Sequence, residues 1–365
     1  MGSLKRSLAN NILTSGKFDA TDLTGNLPSS NIANASMTSI TAFPASAGSA
    51  IASVASDPPA PTVGDVWYNT TSNALKYAGE GVGSWATGNN LNTARGKPGG
   101  AGTQTAALAF GGATAPTTST TATEEYDGTN WATSPGSMNT SRLNPAGCGT
   151  QTSALAFGGF IPPGTLSAAT EEYDGATWTS SNPLNTGRRY LAGCGTQTAG
   201  LAFGGLTTGD TATEEYDGNS WTNSNNLNTG RGILEGAGIQ TAGLAFGGEN
   251  PGGAQGATEE YDGTSWTNSN SLNTARYDMG AAGTQTAALA FGGANPPTAA
   301  TEEYDGISWT STTNMATTRR SLAGAGTQTA ALAFGGAIPV NTLAFTGATE
   351  EWTVSAFSTK TITTA

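Results

Sequence analysis

The chain has no histidine among its 365 residues. Without it there is no Ser–His or Cys–His nucleophile and no imidazole base working near neutrality. The common zinc sites lose their nitrogen ligand, and two cysteines cannot replace it. No catalytic residue, cofactor site or metal site is assigned. Charge is also scarce: 11% of residues are charged, and 14 Lys and Arg stand against 26 Asp and Glu, a net charge of −12. That balance argues against nucleic acid, whose affinity rests on cations neutralising phosphates, and against an anionic membrane surface. No apolar run approaches the ~18–20 residues that span a bilayer, so no membrane insertion is expected. The start, "MGSLKRSLANNILTSGKFD", has basic residues but no apolar core of a secretion signal. The expectation is synthesis in the cytoplasm.

The two cysteines, Cys148 and Cys194, hold the same place in successive "AGCGTQT" phrases, where other copies carry Ala101, Ala237, Ala282 and Ala325. This reads as a small buried slot with inert thiols. A disulfide would require the equivalent strands to come within bridging distance.

What the chain does have is repetition. Its 52 Gly would suit a disordered polymer, but its 8 Trp, 9 Tyr and 11 Phe recur at fixed intervals. The phenylalanine of "LAFGG" falls at Phe110, Phe157, Phe203, Phe246, Phe291 and Phe334, spaced by 43 to 47 residues. "TEEYDG" follows at Glu124, Glu171, Glu214, Glu259 and Glu302, with "TEEW" at Glu350. A tryptophan stands seven residues after the first glutamate in five copies, and Phe357 stands there in the sixth. Each unit opens with an arginine: Arg95, Arg142, Arg188, Arg231, Arg276 and Arg319.

Each unit reads as four short strands: "LAGAGT", "ALAFGG", "ATEEYDG" and "SWTNS". Alternation puts Leu108 and Phe110 on one face and Ala107 and Ala109 on the other. Both faces are apolar, so both need cover. The bulky face of one sheet can nest on the small face of the next, which predicts a stack closed on itself. The glycine pair ends the second strand where the backbone needs positive φ or close passage. A phosphate-cradling loop would need a following helix and usually a lysine, and neither is present.

"LAFGG…TEEYDG…W…R" resembles the kelch repeat over about residues 89–357. The resemblance implies an all-β fold with a six-bladed kelch-like β-propeller of four-stranded blades over residues 89–365. Gly stands where many kelch units have Pro after the aspartate, and the last unit has Trp352 for Tyr and Phe357 for Trp. Residues 57–88 read as a small β-meander connector and resemble a segment of bacteriophage fibre proteins. The alternative is that they join the C-terminal "FSTKTITTA" in a seventh blade. Residues 1–56 resemble the extended N-terminal attachment and oligomerisation regions of phage fibres, and alone could not bury enough area to fold.

The recurrent glutamate pairs invite an acid–base reading, but neighbours in a strand face opposite ways. The expectation is instead a set of structural inter-blade pairs, Arg95, Arg142, Arg188, Arg231, Arg276 and Arg319 with Glu124, Glu171, Glu214, Glu259, Glu302 and Glu350. Only the connection between second and third strands varies in length, from 7 residues (206–212) to 12 (337–348). Phe160, Asp210, Glu249, Asn250, Asn295, Asn341 and Phe345 in these loops are the candidate ligand-face residues, with exposed Phe160 or Phe345 as a stacking surface and the Asn-rich "TNSNSLNTAR" segments suited to sugars. The combined resemblances imply a virion appendage, such as a tail fibre, spike or head-decoration protein, on the exterior of capsid or tail. Its expected partners are other virion proteins through the N-terminal segment, a host surface glycan or protein, and further copies of itself in a homotrimer. A cellular kelch interaction module is the alternative. Galactose oxidase-like enzymes share such propellers, but their copper chemistry uses histidines.

Overall fold

The computed structural model describes residues 52–361, except 63, 80, 207–210 and 340–342. The described residues contain strands and turns and no α-helix. They fall into two compact units, one comprising residues up to 82 together with those from 354 on, and the other residues 83–353.

The larger unit is built on six four-stranded antiparallel sheets, an arrangement of the β-propeller kind. The first sheet takes Gly99–Thr103, Ala106–Phe110, Thr123–Tyr126 and Trp131–Thr133 in sequence order. The next four repeat that order, one sheet per sequence unit. The sixth departs from it. Ala323–Gly326, Ala330–Phe334 and Thr349–Val354 are completed not by the residues that follow but by Gly83–Gly88. Residues 83–88 therefore leave the expected connector, and the C-terminal strand leaves the expected propeller segment. Ser358–Thr361 pairs instead with Ala74–Gly79 in the smaller unit, in a sheet with Val66–Asn69 and Ala52–Val54. That sheet is mixed, since Ala52–Val54 runs parallel to its neighbour. Asp57 gathers the Trp67 indole, the Asn69 amide and the Lys76 ammonium, at 3.0, 2.7 and 2.7 Å.

Nesting of unlike faces holds the sheets of the larger unit together. Leu108 and Phe110 pack with Ala154, Ala156, Tyr173 and Trp178 of the second sheet, and the pattern recurs along the chain. Burying each such Leu or Phe stabilises by about 1.5–3 kcal/mol. The small face must stay small. A Cβ on Gly147 would lie 2.4 Å from the Phe110 ring. Gly111 and Gly112, at φ +61° and +90°, end the second strand in the left-handed region. A Cβ on Gly112 would lie 2.8 Å from the Gly96 carbonyl.

Three sets of polar and aromatic contacts run from each sheet to the one before it. Trp178 Nε1 donates to Thr123 Oγ1 at 2.9 Å, Gln151 Nε2 donates to the Tyr126 carbonyl at 2.7 Å, and Trp178 packs on Phe110 at 5.0 Å. Between the first and sixth sheets the same contacts are Trp131 to Thr349, Gln104 to the Trp352 carbonyl, and Trp131 on Phe334. In the sixth sheet Trp85, not Phe357, takes the tryptophan place. Its Nε1 donates to Thr301 Oγ1 at 3.0 Å and its ring meets Phe291 at 5.1 Å.

The second glutamate of each "TEEY" serves this interface too. Tyr173, Tyr216 and Tyr304 donate their hydroxyls at 2.5 Å to Glu125, Glu172 and Glu260 of the preceding sheet, and Tyr261 donates to Glu215. Burial, and then the carboxylate partner, push these four phenols up to about 12. The folded state therefore holds the phenolic proton that an unfolded chain releases near pH 10. Stability from these groups is complete below pH 10 and falls as pH rises from 10 through about 12. Alkaline titration followed at once by tyrosinate absorbance and circular dichroism should show cooperative unfolding in that window. Tyr216→Phe should weaken the pH dependence, and an unchanged profile would refute the assignment.

Candidate functional site

The six arginines lie on the segments that enter each sheet, and all six reach the glutamate expected of them. The pairs are Arg95–Glu124 (2.7 Å), Arg142–Glu171 (2.8 Å), Arg188–Glu214 (3.0 Å), Arg231–Glu259 (2.5 Å), Arg276–Glu302 (3.2 Å) and Arg319–Glu350 (2.9 Å). Every partner is buried. Burial pushes the guanidinium pKa values down from their ordinary value, against the pull of the glutamates. One correction follows from the geometry. Each pair ties an entering segment to its own sheet and does not bridge two sheets directly. Arg142 also donates to the Gly158 and Ala169 carbonyls, while Glu171 accepts from the Asn139 and Thr140 amides. The carboxylate that does bridge sheets is the second glutamate, because strand alternation turns it to the opposite face.

The Asn-rich segments are engaged internally. Asn139, Asn185, Asn228 and Asn273 donate their side-chain amides to the carbonyls of Trp178, Trp221, Trp266 and Trp309. Asn182 and Asn225 donate to turn carbonyls at Asn219 and Thr264. These amides brace the next sheet and are not a free sugar-binding array. The thiols are equally occupied. Cys148 and Cys194 are buried and unbridged, and burial pushes Cys148 up to about 12 and Cys194 upward as well.

The variable loops start beside the segments that follow the arginines. Isolated bridges join Gly96 to Ala113, Leu143 to Phe160, Arg189 to Leu206, Gly232 to Glu249, Tyr277 to Ala294 and Arg320 to Ala337. The expected stacking surface is not exposed. Phe160 is half-buried with the Arg189 guanidinium 5.0 Å from its ring centre. Phe345 is half-buried against Gly96, where a Cβ would meet its ring at 2.4 Å. Glu249 is half-buried, and Asn250 Oδ1 accepts from the Gly252 amide and the Gln255 side chain in a turn. Asn295 is exposed, at φ +82°. Asp210 and Asn341 lie outside the described residues.

Sequence reasoning missed the residues at the centre of this end. Two positions after each arginine stand Lys97, Asn144, Tyr190, Ile233, Asp278 and Ser321, all in the left-handed region with φ from 51° to 62°. All six line one cavity of about 70 Å³, together with Glu235 and the flanking Pro98, Pro145, Leu191, Leu234, Met279 and Leu322. A chain of backbone bonds links five of the six: Lys97 N–H to Ser321, Ser321 to Asp278, Asp278 to Ile233, and Ile233 to Tyr190. The Lys97 ammonium lies 3.5 Å from Asp278 Oδ1 and 4.3 Å from the Tyr190 ring centre. Ser321 donates to Asp278 Oδ2 at 2.5 Å. Burial, and then the nearby Asp278 charge, push the Glu235 carboxyl well above the usual range. A signal for this site was in the sequence. The phrases "RGKPG", "RLNPA", "RRYLA", "RGILE", "RYDMG" and "RRSLA" differ from one another, while the flanking "GTQTAALAFGG" is nearly constant.

Among the described residues no cluster of three or more His, Cys, Asp or Glu is placed to hold a metal ion. Among the same residues no helix is long and apolar enough to cross a membrane. No protein-family model matches the chain, and no curated protein matches it.

Proposed function

We propose that the six sheets close into a six-bladed, kelch-like propeller and that this propeller is a non-catalytic binding scaffold. Support for closure comes from the Trp–Thr, Gln–carbonyl and Phe–Trp contacts, which join the first and sixth sheets as they join the others. The observation that carries the binding role is the segregation of variation. Six near-identical frames hold their differences at the residues after the arginines and in the adjoining loops, gathered at one end. A frame serving only itself has no need of six different side chains in six equivalent places.

The resemblance of residues 1–88 to fibre proteins supports a virion appendage for adhesion or decoration, with residues 1–56 docking to other virion proteins or ordering in a homotrimer. Its ligand would be a host surface glycan or protein. Two measurements test the reading. Immunoelectron microscopy with antibodies to residues 89–353 should label the exterior of intact particles, and a chain lacking residues 1–51, which spares the Ala52–Val54 strand, should fold yet fail to incorporate. On a glycan or cell-surface array the full chain should bind. Replacing residues 161–166 with a Gly–Ser turn, which spares the bridged Phe160 and the buried Ser167, should abolish binding without shifting thermal unfolding by more than a few degrees. Label found only within cells, with particles bare, would favour the cellular interaction module.

A further inference from the structure

We propose that the cavity shared by the six left-handed positions is a binding site for a protonated primary amine carried by a ligand. Asp278 and Glu235 supply its counter-charges, Asn144 Oδ1 a further acceptor, the Tyr190 ring one wall, and Lys97 is the group that such a ligand displaces.

The protein already places an ammonium there. Lys97 lies over an aromatic face and beside a carboxylate at once, the two interactions that recognise alkylammonium groups. Tyr190 and Asp278 belong to two different repeats, neither of them that of Lys97, so the lysine reaches both from across the cavity. Its bond to Asp278 is long at 3.5 Å, and its side chain keeps a quarter of its exposure. A flexible four-carbon stem in that setting is displaceable.

The acceptors exceed what one lysine satisfies. Glu235 opens its strand where the equivalent residues are Gly99, Ala146, Ala192, Gly280 and Ala323. The other sheets thus manage with hydrogen or methyl in that place, and packing does not call for a carboxyl. Asn144 Oδ1 is buried with no hydrogen-bond partner among the described residues, a condition that costs about 1–3 kcal/mol. A divalent metal suits the site poorly. Calcium wants six to eight oxygens, and Lys97 already brings a positive charge. An ammonium donates three hydrogen bonds and fits a space of about 70 Å³. Burial and the Asp278 charge push the Glu235 carboxyl above the usual range, and an arriving cation favours its ionised form, so binding is expected to release protons.

This inference rests on reading the loop end as the binding face, but not on the particle that carries it. Calorimetric titration of the full chain with n-propylammonium chloride, at constant ionic strength and with n-propanol as neutral control, tests it. Lys97→Met removes the internal competitor and should bind propylammonium about tenfold or more tightly than the wild type, a difference of about 1.4 kcal/mol. Titration in two buffers of different ionisation enthalpy should show proton release. Glu235→Gln in the Lys97→Met background should lose both the release and about tenfold in affinity. Equal binding of amine and alcohol, or affinity indifferent to Lys97 and Glu235, would overturn the proposal. Should Lys97→Met not fold, Lys97→Gln decides by the same criteria. Failed titration with surface adhesion intact removes the amine site alone, and amine binding without adhesion removes the adhesion reading alone.

Discussion

Arg142→Ala is expected to destabilise the protein by about 3–5 kcal/mol, because it leaves the buried Glu171 carboxylate without its counter-charge. The loss would show in equilibrium denaturant unfolding as a lower midpoint with an unchanged slope. Two further features make the effect large. The guanidinium also satisfies the Gly158 and Ala169 carbonyls, at 3.0 and 2.5 Å, so alanine leaves these acceptors exposed to an empty space. Glu171 meanwhile holds the Asn139 and Thr140 amides, so an unpaired, reprotonated or displaced carboxyl loosens the entering segment. The double variant Arg142→Met/Glu171→Leu should be less damaging than Arg142→Ala alone. It removes both charges together, although it still orphans the two amides. A loss below about 1 kcal/mol for Arg142→Ala, within the usual range for exposed pairs, would show that the pair is not desolvated.

Trp85→Ala is expected to cost about 3 kcal/mol, the lower end for an aromatic-to-alanine change, since Trp85 is half-buried. It removes the ring contacts with Phe291 and Trp352 and the bond to Thr301. Phe357→Ala, the change at the position that spacing along the sequence nominated, should cost less, since the Phe291 and Thr301 contacts belong to Trp85. Excising residues 83–88 altogether bares the edge of Thr349–Val354, and an unpaired edge recruits other chains. Light scattering should then report self-association. Parity between Trp85→Ala and Phe357→Ala would mean that the sixth sheet is closed by the C-terminal segment instead.

The contrast between these two residues marks where the sequence was legible. Leu108, Phe110 and their equivalents announced the strands, their faces and the need for cover on both sides, because alternation with period two is a local property. The arginine–glutamate partnership was legible for a related reason: two charges recurring in step inside an apolar frame have few other ways to be buried. Trp85 was not, since it lies more than two hundred residues from Thr301 and belongs to no complete copy of the repeat. Loop residues were judged by composition, which cannot tell that Arg189 covers Phe160 or that Gly96 leaves room for Phe345. The cavity residues were passed over because they vary, although in a chain so uniform elsewhere variation was the informative quantity. Asn144 and Asp278 suit the left-handed region better than Ile233, so residue preference alone did not mark the position.

The order in which these strands leave the ribosome bears on how the protein is made. Five sheets each collect their strands from one contiguous stretch and can assemble as they emerge. The sixth begins with Gly83–Gly88 and waits for Thr349–Val354, so its earliest member stays without a partner until all five intervening sheets have been synthesised. Such long-range pairing is slow, and an unpaired strand held that long is open to misassembly between neighbouring nascent chains. Maturation is thus timed by the arrival of the last repeat, and a transcript or ribosome that stops short yields five sheets that never acquire the sixth.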